Sequence, residues 1–179
     1  MAEYYLMSQL PSLDGVGENA PLPITEKDFL EVCRRFLGKN ELKELERLTL
    51  LPPRNPMKSS SPLIEAWNEG ERNLRLALAK LRADKMKKSF DVAEGYLSAE
   101  LLQTAHTAVE FESPMEAEKF LNDYRLKFLE TLRPMDTFSK DSVFYYCLKL
   151  KLISRMRNFD NEGGKTAYKN IYNSVLNGD

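Results

Sequence analysis

Ser139-Lys-Asp-Ser-Val-Phe-Tyr-Tyr-Cys-Leu-Lys-Leu-Lys-Leu-Ile-Ser-Arg-Met-Arg-Asn-Phe159 is the stretch whose reading decides the fold. At about 100° per residue, Val143, Phe144, Tyr146, Cys147, Leu148, Leu150, Leu152, Ile153 and Met156 cover most of a helix circumference. A helix apolar nearly all round is one that other helices pack against. Lys149, Lys151, Arg155 and Arg157 interrupt that surface. Their long stems can lie along it while the charged heads reach water or a carboxylate. Asp160, Asn161 and the Gly163-Gly164 pair predict a helix end and a tight reversal into a second run closing at Tyr172. Taken alone, these residues specify a scaffold and no chemistry.

Outward from that helix the chain reads as a series of capped helices. Ser113-Pro114-Met115-Glu116 combines a cap, an N1 proline and an N3 acid. It opens a helix whose inward face is Ala117, Phe120, Leu121, Tyr124, Phe128 and Leu132, with Pro134 ending it. Before it, Val92, Tyr96, Leu97, Leu101 and Ala105 predict a return helix from Asp91 onward. Ser61 caps a helix with Pro62 at its first position, and Leu63, Trp67, Gly70, Leu74, Ala77 and Leu81 keep a/d spacing along it. Asp84 to Ser89 is its basic, exposed end or a turn. Earlier still, Thr25 and Asp28 form a near capping box for Phe29, Leu30, Cys33, Phe36 and Leu37. Gly38 closes that helix, and Asn40 caps the next, where Leu42, Leu45 and Leu48 make a stripe. Tyr4 to Leu10 is too short to assign to strand or helix, and Pro11 stops it.

The expectation is an all-α bundle of antiparallel helix hairpins, about seven helices in a single 1–179 domain. Pro52-Pro53-Arg54-Asn55-Pro56 and the serines up to Ser61 cannot be helix, so sub-bundles 1–51 and 61–179 joined by a 52–60 linker are expected. Charged residues make up 30% and the net charge is −1, which gives the molecule no electrostatic reason to seek nucleic acid or an anionic membrane. No apolar run is long enough to insert into a bilayer. The N-terminus lacks the positive charge of a secretory signal, which points to a cytoplasmic protein. Cys33 and Cys147, each in an apolar helical run, read as buried free thiols.

Chemistry is hard to find in this chain. Gly164-Lys165-Thr166 lacks the earlier glycine of a phosphate-binding loop, since Phe159 stands there and a helix precedes it. It reads as a helix-reversal turn. His106 is the sole histidine, and with Glu110 one turn later it lacks the further ligands of a closed metal site. It is also the sole imidazole that a Ser or Cys nucleophile could use. Neither a catalytic site, nor a cofactor, nor a small-molecule substrate is expected. Tyrosine and arginine concentrate binding energy at interfaces, and this chain is rich in both.

Tyr4-Tyr5-Leu6-x-x-x-Leu10-Pro11-Ser12-Leu13, followed by the Phe29-Leu30-x-x-Cys33 helix, resembles a bacterial family encoded beside the genes of a V-type (vacuolar/archaeal-type) ATPase. The run Tyr145-Tyr146-x-Leu148-x-Leu150-x-Leu152-Ile153-x-Arg155-x-Arg157-Asn158-Phe159, with Gly163-Gly164-Lys165 after it, is similar to a helix of the central-stalk connector family of V-type ATPases. Those connectors are all-helical and form a socket between rotating stalk and membrane ring. The chain departs from them in being too short for the full socket and in carrying Ser154 where an acid precedes the arginine. The resemblance implies a helical coupling or assembly protein of a rotary ATPase, an ion-transport machine. Its partners would be the stalk and membrane-ring subunits, and its place peripheral to the inner membrane. Tyr4, Tyr5, Tyr146, Arg155 and Arg157 are the candidate contact residues. A stand-alone helical adaptor is the alternative.

Overall fold

The computed structural model describes residues 2–16, 20–54, 59–90, 97–157, 166 and 168–173. Seven helices follow in order: α1 (Ala2–Gln9), α2 (Glu26–Phe36), α3 (Lys39–Arg47), α4 (Pro62–Lys85), α5 (Ala99–Glu110), α6 (Pro114–Thr131) and α7 (Lys140–Arg157). A further helical stretch covers residues 168–173, and no strand occurs among the described residues. The fold is all-α.

Local signals start most of these helices where the side chains say they should. Thr25 Oγ1 accepts from the Asp28 amide at 3.1 Å, Ser61 Oγ from Ile64 at 3.3 Å and Ser113 Oγ from Glu116 at 3.4 Å. Each satisfies one of the amides that a helix start leaves without a partner. Ser139 does the same for α7, accepting from the Ser142 amide at 3.3 Å. Two starts differ from expectation. Glu41 reaches back to the Gly38 amide at 3.2 Å, so α3 opens at Lys39 and Asn40 lies inside it rather than capping it. Ser98 accepts from the Leu101 amide at 3.2 Å and sets the start of α5 at Ala99. Residues 91–96, where the return helix was expected to begin, lie outside the described residues, as do Gly163, Gly164 and Lys165. The opening residues are helix, not strand, and α1 buries Leu6 completely.

α7 is the centre of the molecule. Every residue from Ser142 to Leu150 is buried, as are Leu152 and Ile153, and α1, α2, α3, α4 and α6 all pack against it. Its neighbours contribute Leu6, Phe29, Cys33, Leu45, Leu48, Leu63, Trp67 and Leu129 to one continuous apolar cluster. That cluster draws on both sides of segment 52–60, so the core does not divide at the Pro/Ser-rich stretch. A chain break in composition is not a break in packing when the helices on either side share a partner.

The division falls elsewhere. A second cluster, Leu74, Ala77, Leu78, Leu101, Ala105, Ala108 and Leu121, joins the C-terminal half of α4, α5 and the N-terminal half of α6. The two long helices α4 and α6 therefore serve one cluster with each half. At the junction sit two charges, Glu71 on α4 and Arg125 on α6, whose side chains are 2% and 5% exposed. Arg125 grips the carboxylate bidentately, Nε to Oε2 at 2.9 Å and Nη2 to Oε1 at 3.1 Å. Arg75 donates to the same carboxylate at 2.9 Å from one turn further along α4. Close by, Gly70 lets the Phe128 ring come in: a Cβ there would sit 2.3 Å from Cε1. The a/d register of α4 thus carries a glycine because the neighbouring helix fills the space.

Candidate functional site

The candidate contact residues separate into two environments. Tyr146 lies inside the protein, 7% exposed. Its hydroxyl donates to the Pro11 carbonyl at 2.8 Å and its ring stacks on Phe29 with centroids 5.2 Å apart. Burial pushes that hydroxyl up to about 12. A side chain so enclosed holds the N-terminal segment against α7 and is not a surface contact, which corrects its expected role. Arg155 is half-buried and donates to Glu118 Oε2 at 2.8 Å, joining α7 to α6. Arg157 donates to the Ala20 carbonyl. Both arginines are engaged within the chain.

Tyr4 and Tyr5 are different, at 50% and 55% exposed. Helix α1 has apolar and polar residues spread round it, so seating Leu6 in the core leaves its two tyrosines outside. They meet edge to face with centroids 5.7 Å apart, and Tyr4 packs on Phe138 at 4.6 Å. Phe138 is 44% exposed, and Met135 in the same α6–α7 turn is wholly exposed. Asp136 fixes that turn. Its Oδ1 accepts from the Phe138 amide at 2.9 Å, and its carbonyl accepts from Ser139 Oγ at 2.9 Å and Ser142 Oγ at 2.6 Å. The result is an apolar aromatic patch presented by a helix and a braced turn. Sequence reasoning found the tyrosines but missed Met135 and Phe138, whose only signal was two large apolar residues in a Pro-Met-Asp-Thr-Phe-Ser loop.

Beside the patch, a small hollow of about 160 Å³ collects charge from α7 and the N-terminal loop. Lys149 donates to Asp14 at 2.5 Å and to Glu130 at 2.7 Å. Gly15, at φ +73°, makes the turn that follows Asp14. Two cations approach the Tyr145 ring, Arg133 at 5.9 Å and the Lys149 ammonium at 5.7 Å from its centroid. Burial works against the Lys149 ammonium, but the bonds to Asp14 and Glu130 outweigh it and hold the group above its ordinary range. The bond from Lys149 holds the Asp14 carboxyl below its ordinary 3.8. Burial raises Glu130, yet Lys149 prevails there too and leaves it below 4.5. This is a latch, with every charge in it matched.

A carboxylate whose folded value is depressed lends stability above its ordinary value and loses it as pH falls through the folded one. Asp14→Asn should therefore flatten the acid limb of the stability curve below about pH 4 and leave the neutral plateau lower by a few tenths of a kcal/mol. The effect is small because the Asp14 side chain is 60% exposed and water screens it. Thermal midpoints of wild type and variant between about pH 3 and 7 check this; parallel curves would dismiss the latch.

Elsewhere, His106 Nδ1 lies 3.4 Å from Glu110 on the exposed face of α5. Cys33 and Cys147 are buried free thiols, and burial pushes each up to about 12. Among the described residues no three His, Cys, Asp or Glu side chains are placed to hold a metal, and no helix is long and apolar enough to cross a membrane. No curated protein and no solved structure matches this chain. Residues 90–179, just over half of the sequence and including α5, α6 and the central α7, match one family model; the chain belongs to the family described as protein of unknown function (DUF2764).

Proposed function

We propose that this protein is a non-catalytic helical component or assembly factor of a V-type ATPase, acting through protein–protein contacts. The observation that carries the contact is the exposed aromatic patch of Tyr4, Tyr5 and Phe138, with Met135 fully exposed in the same turn as Phe138. Aromatic rings that pack on one another, as these do, have few torsions to lose on binding, so their burial goes into affinity. The same Tyr4-Tyr5-Leu6 opening carries the resemblance to the family encoded beside the ATPase genes. Stalk and membrane-ring subunits are the partners this reading names, and it puts the protein at the ATPase's cytoplasmic side.

Affinity purification of the tagged protein from its native cell tests it. Stalk subunits should co-elute with wild type, and Tyr4→Ala/Tyr5→Ala should lower their recovery about tenfold or more. Arg155→Ala should leave recovery intact, since Arg155 is engaged by Glu118 within the chain. Absence of ATPase subunits from the wild-type eluate would favour the stand-alone adaptor instead.

A further inference from the structure

A second surface has the chemistry of a binding site and lies apart from the aromatic patch. The hollow between α3, the segment after it and the start of α4 encloses about 440 Å³. Lys43 and Arg47 stand one turn apart on α3 and so share a face. Leu48 and Ile64, both buried, form its floor, and Pro53 and Leu51, the latter 57% exposed, form its rim. Asn68 looks in from α4.

Several cations of the fold are matched by acids, and the two that line this hollow are not. Arg34 is held by Glu46 at 3.0 Å, Lys151 by Glu26 at 2.8 Å and Lys149 by two carboxylates. Neither Lys43 nor Arg47 has an acidic partner among the described residues. The acid that lines the hollow, Glu44, is committed in another direction. It accepts from Ser59 Oγ, from the Ser60 amide at 3.1 Å and from Ser60 Oγ at 2.6 Å. Partial burial pushes its carboxyl up, but these bonds win and hold it below its ordinary value. Lys140 ties the same serine backbone to the start of α7, donating to the Ser60 carbonyl at 2.8 Å. The carboxylate that could have neutralised the two cations is thus used to brace the far wall.

We propose that this hollow binds an extended acidic segment of a partner protein. The segment seats a carboxylate between Lys43 and Arg47 and rests an apolar side chain on Leu48, Leu51 and Pro53. Charge complementarity selects the acid, since two cations on one helix face with no internal counter-charge favour an anion from outside. The open shape selects a chain segment over a small molecule. Small ligands bound in pockets have roughly 70–90% of their surface enclosed, whereas Asn40, Lys43, Arg47, Thr49, Leu51 and Pro53 all face solvent. A trough of that kind suits a chain that enters, crosses and leaves. The site stands whether or not the partner is a rotary ATPase.

Amide NMR of the whole protein, titrated with a blocked Leu-Glu-Leu-Glu tetrapeptide, tests this. The expected result is a saturable shift confined to residues around Lys43, Arg47, Leu51 and Asn68. Its affinity should fall several-fold between about 50 and about 300 mM salt. Lys43→Glu/Arg47→Glu should weaken binding about tenfold or more and give the corresponding Leu-Lys-Leu-Lys peptide a measurable affinity. Lys39→Glu, the same charge change on α3 outside the hollow, should leave binding as in wild type. The amide spectrum of each variant reports directly on its fold. Shifts elsewhere, equal binding of both peptides to wild type, or an unchanged affinity in the double variant would overturn the proposal. Free octanoate binding as tightly as the peptide would overturn the partner segment in favour of a small amphiphile.

Discussion

Replacing Arg125 by alanine is expected to cost about 3–5 kcal/mol of folding stability, a large part of what holds a domain of this size together. The loss comes from what remains behind. Glu71, almost fully enclosed, would keep only Arg75, whose side chain is 43% exposed. A buried carboxylate stripped of its bidentate partner is far worse than none. Glu71→Leu/Arg125→Met should accordingly recover most of the loss, because two apolar side chains of similar volume extend the clusters on either side. Urea unfolding of Glu71→Leu, Arg125→Met and the double closes a thermodynamic cycle. A double variant no better than Arg125→Ala would show that the pair's charges are not what the site depends on.

Trp67→Ala should be of similar size, about 3–5 kcal/mol. The indole is completely enclosed, sits where α4 meets α7, and lies 6.2 Å from the Phe128 ring, centroid to centroid. Alanine there leaves a cavity that the surrounding helices, each pinned to α7, cannot collapse to fill. Trp67→Phe makes the informative comparison. The indole Nε1 finds no acceptor among the described residues. Phenylalanine removes that unsatisfied donor along with some volume, so its cost should be on the order of 1 kcal/mol. A Trp67→Phe loss as large as that of alanine would mean that the nitrogen has a partner after all.

These two sites show where sequence reading reaches and where it stops. Helix starts were legible because a cap is a contact between residues three apart; Thr25, Ser61 and Ser113 each announce their own helix. Gly38 did not, since its amide is satisfied from Glu41 rather than by a side chain of its own. α7 was legible as a core helix from composition alone. Glu71 and Arg125 were not, because two charges 54 residues apart look like any solvated pair until the helices bring them together. The same holds for the contact residues. Tyr4, Tyr5 and Tyr146 look alike on paper, and only packing decides that the first two face outward while the third is consumed by Pro11 and Phe29. Lys43 and Arg47 were invisible as a site for the opposite reason: a hollow is defined by what is missing between elements, and sequence records only what is present.

A helix that packs on five others, and comes after all of them along the chain, imposes an order on synthesis. Until α7 leaves the ribosome, Phe29, Leu45, Leu63 and Trp67 have no counterpart to close upon. A nascent chain halted before residue 140 would hold those faces open to water and to one another. α4, α5 and α6 share a cluster that does not include α7, so the middle of the polypeptide can settle before the keystone arrives.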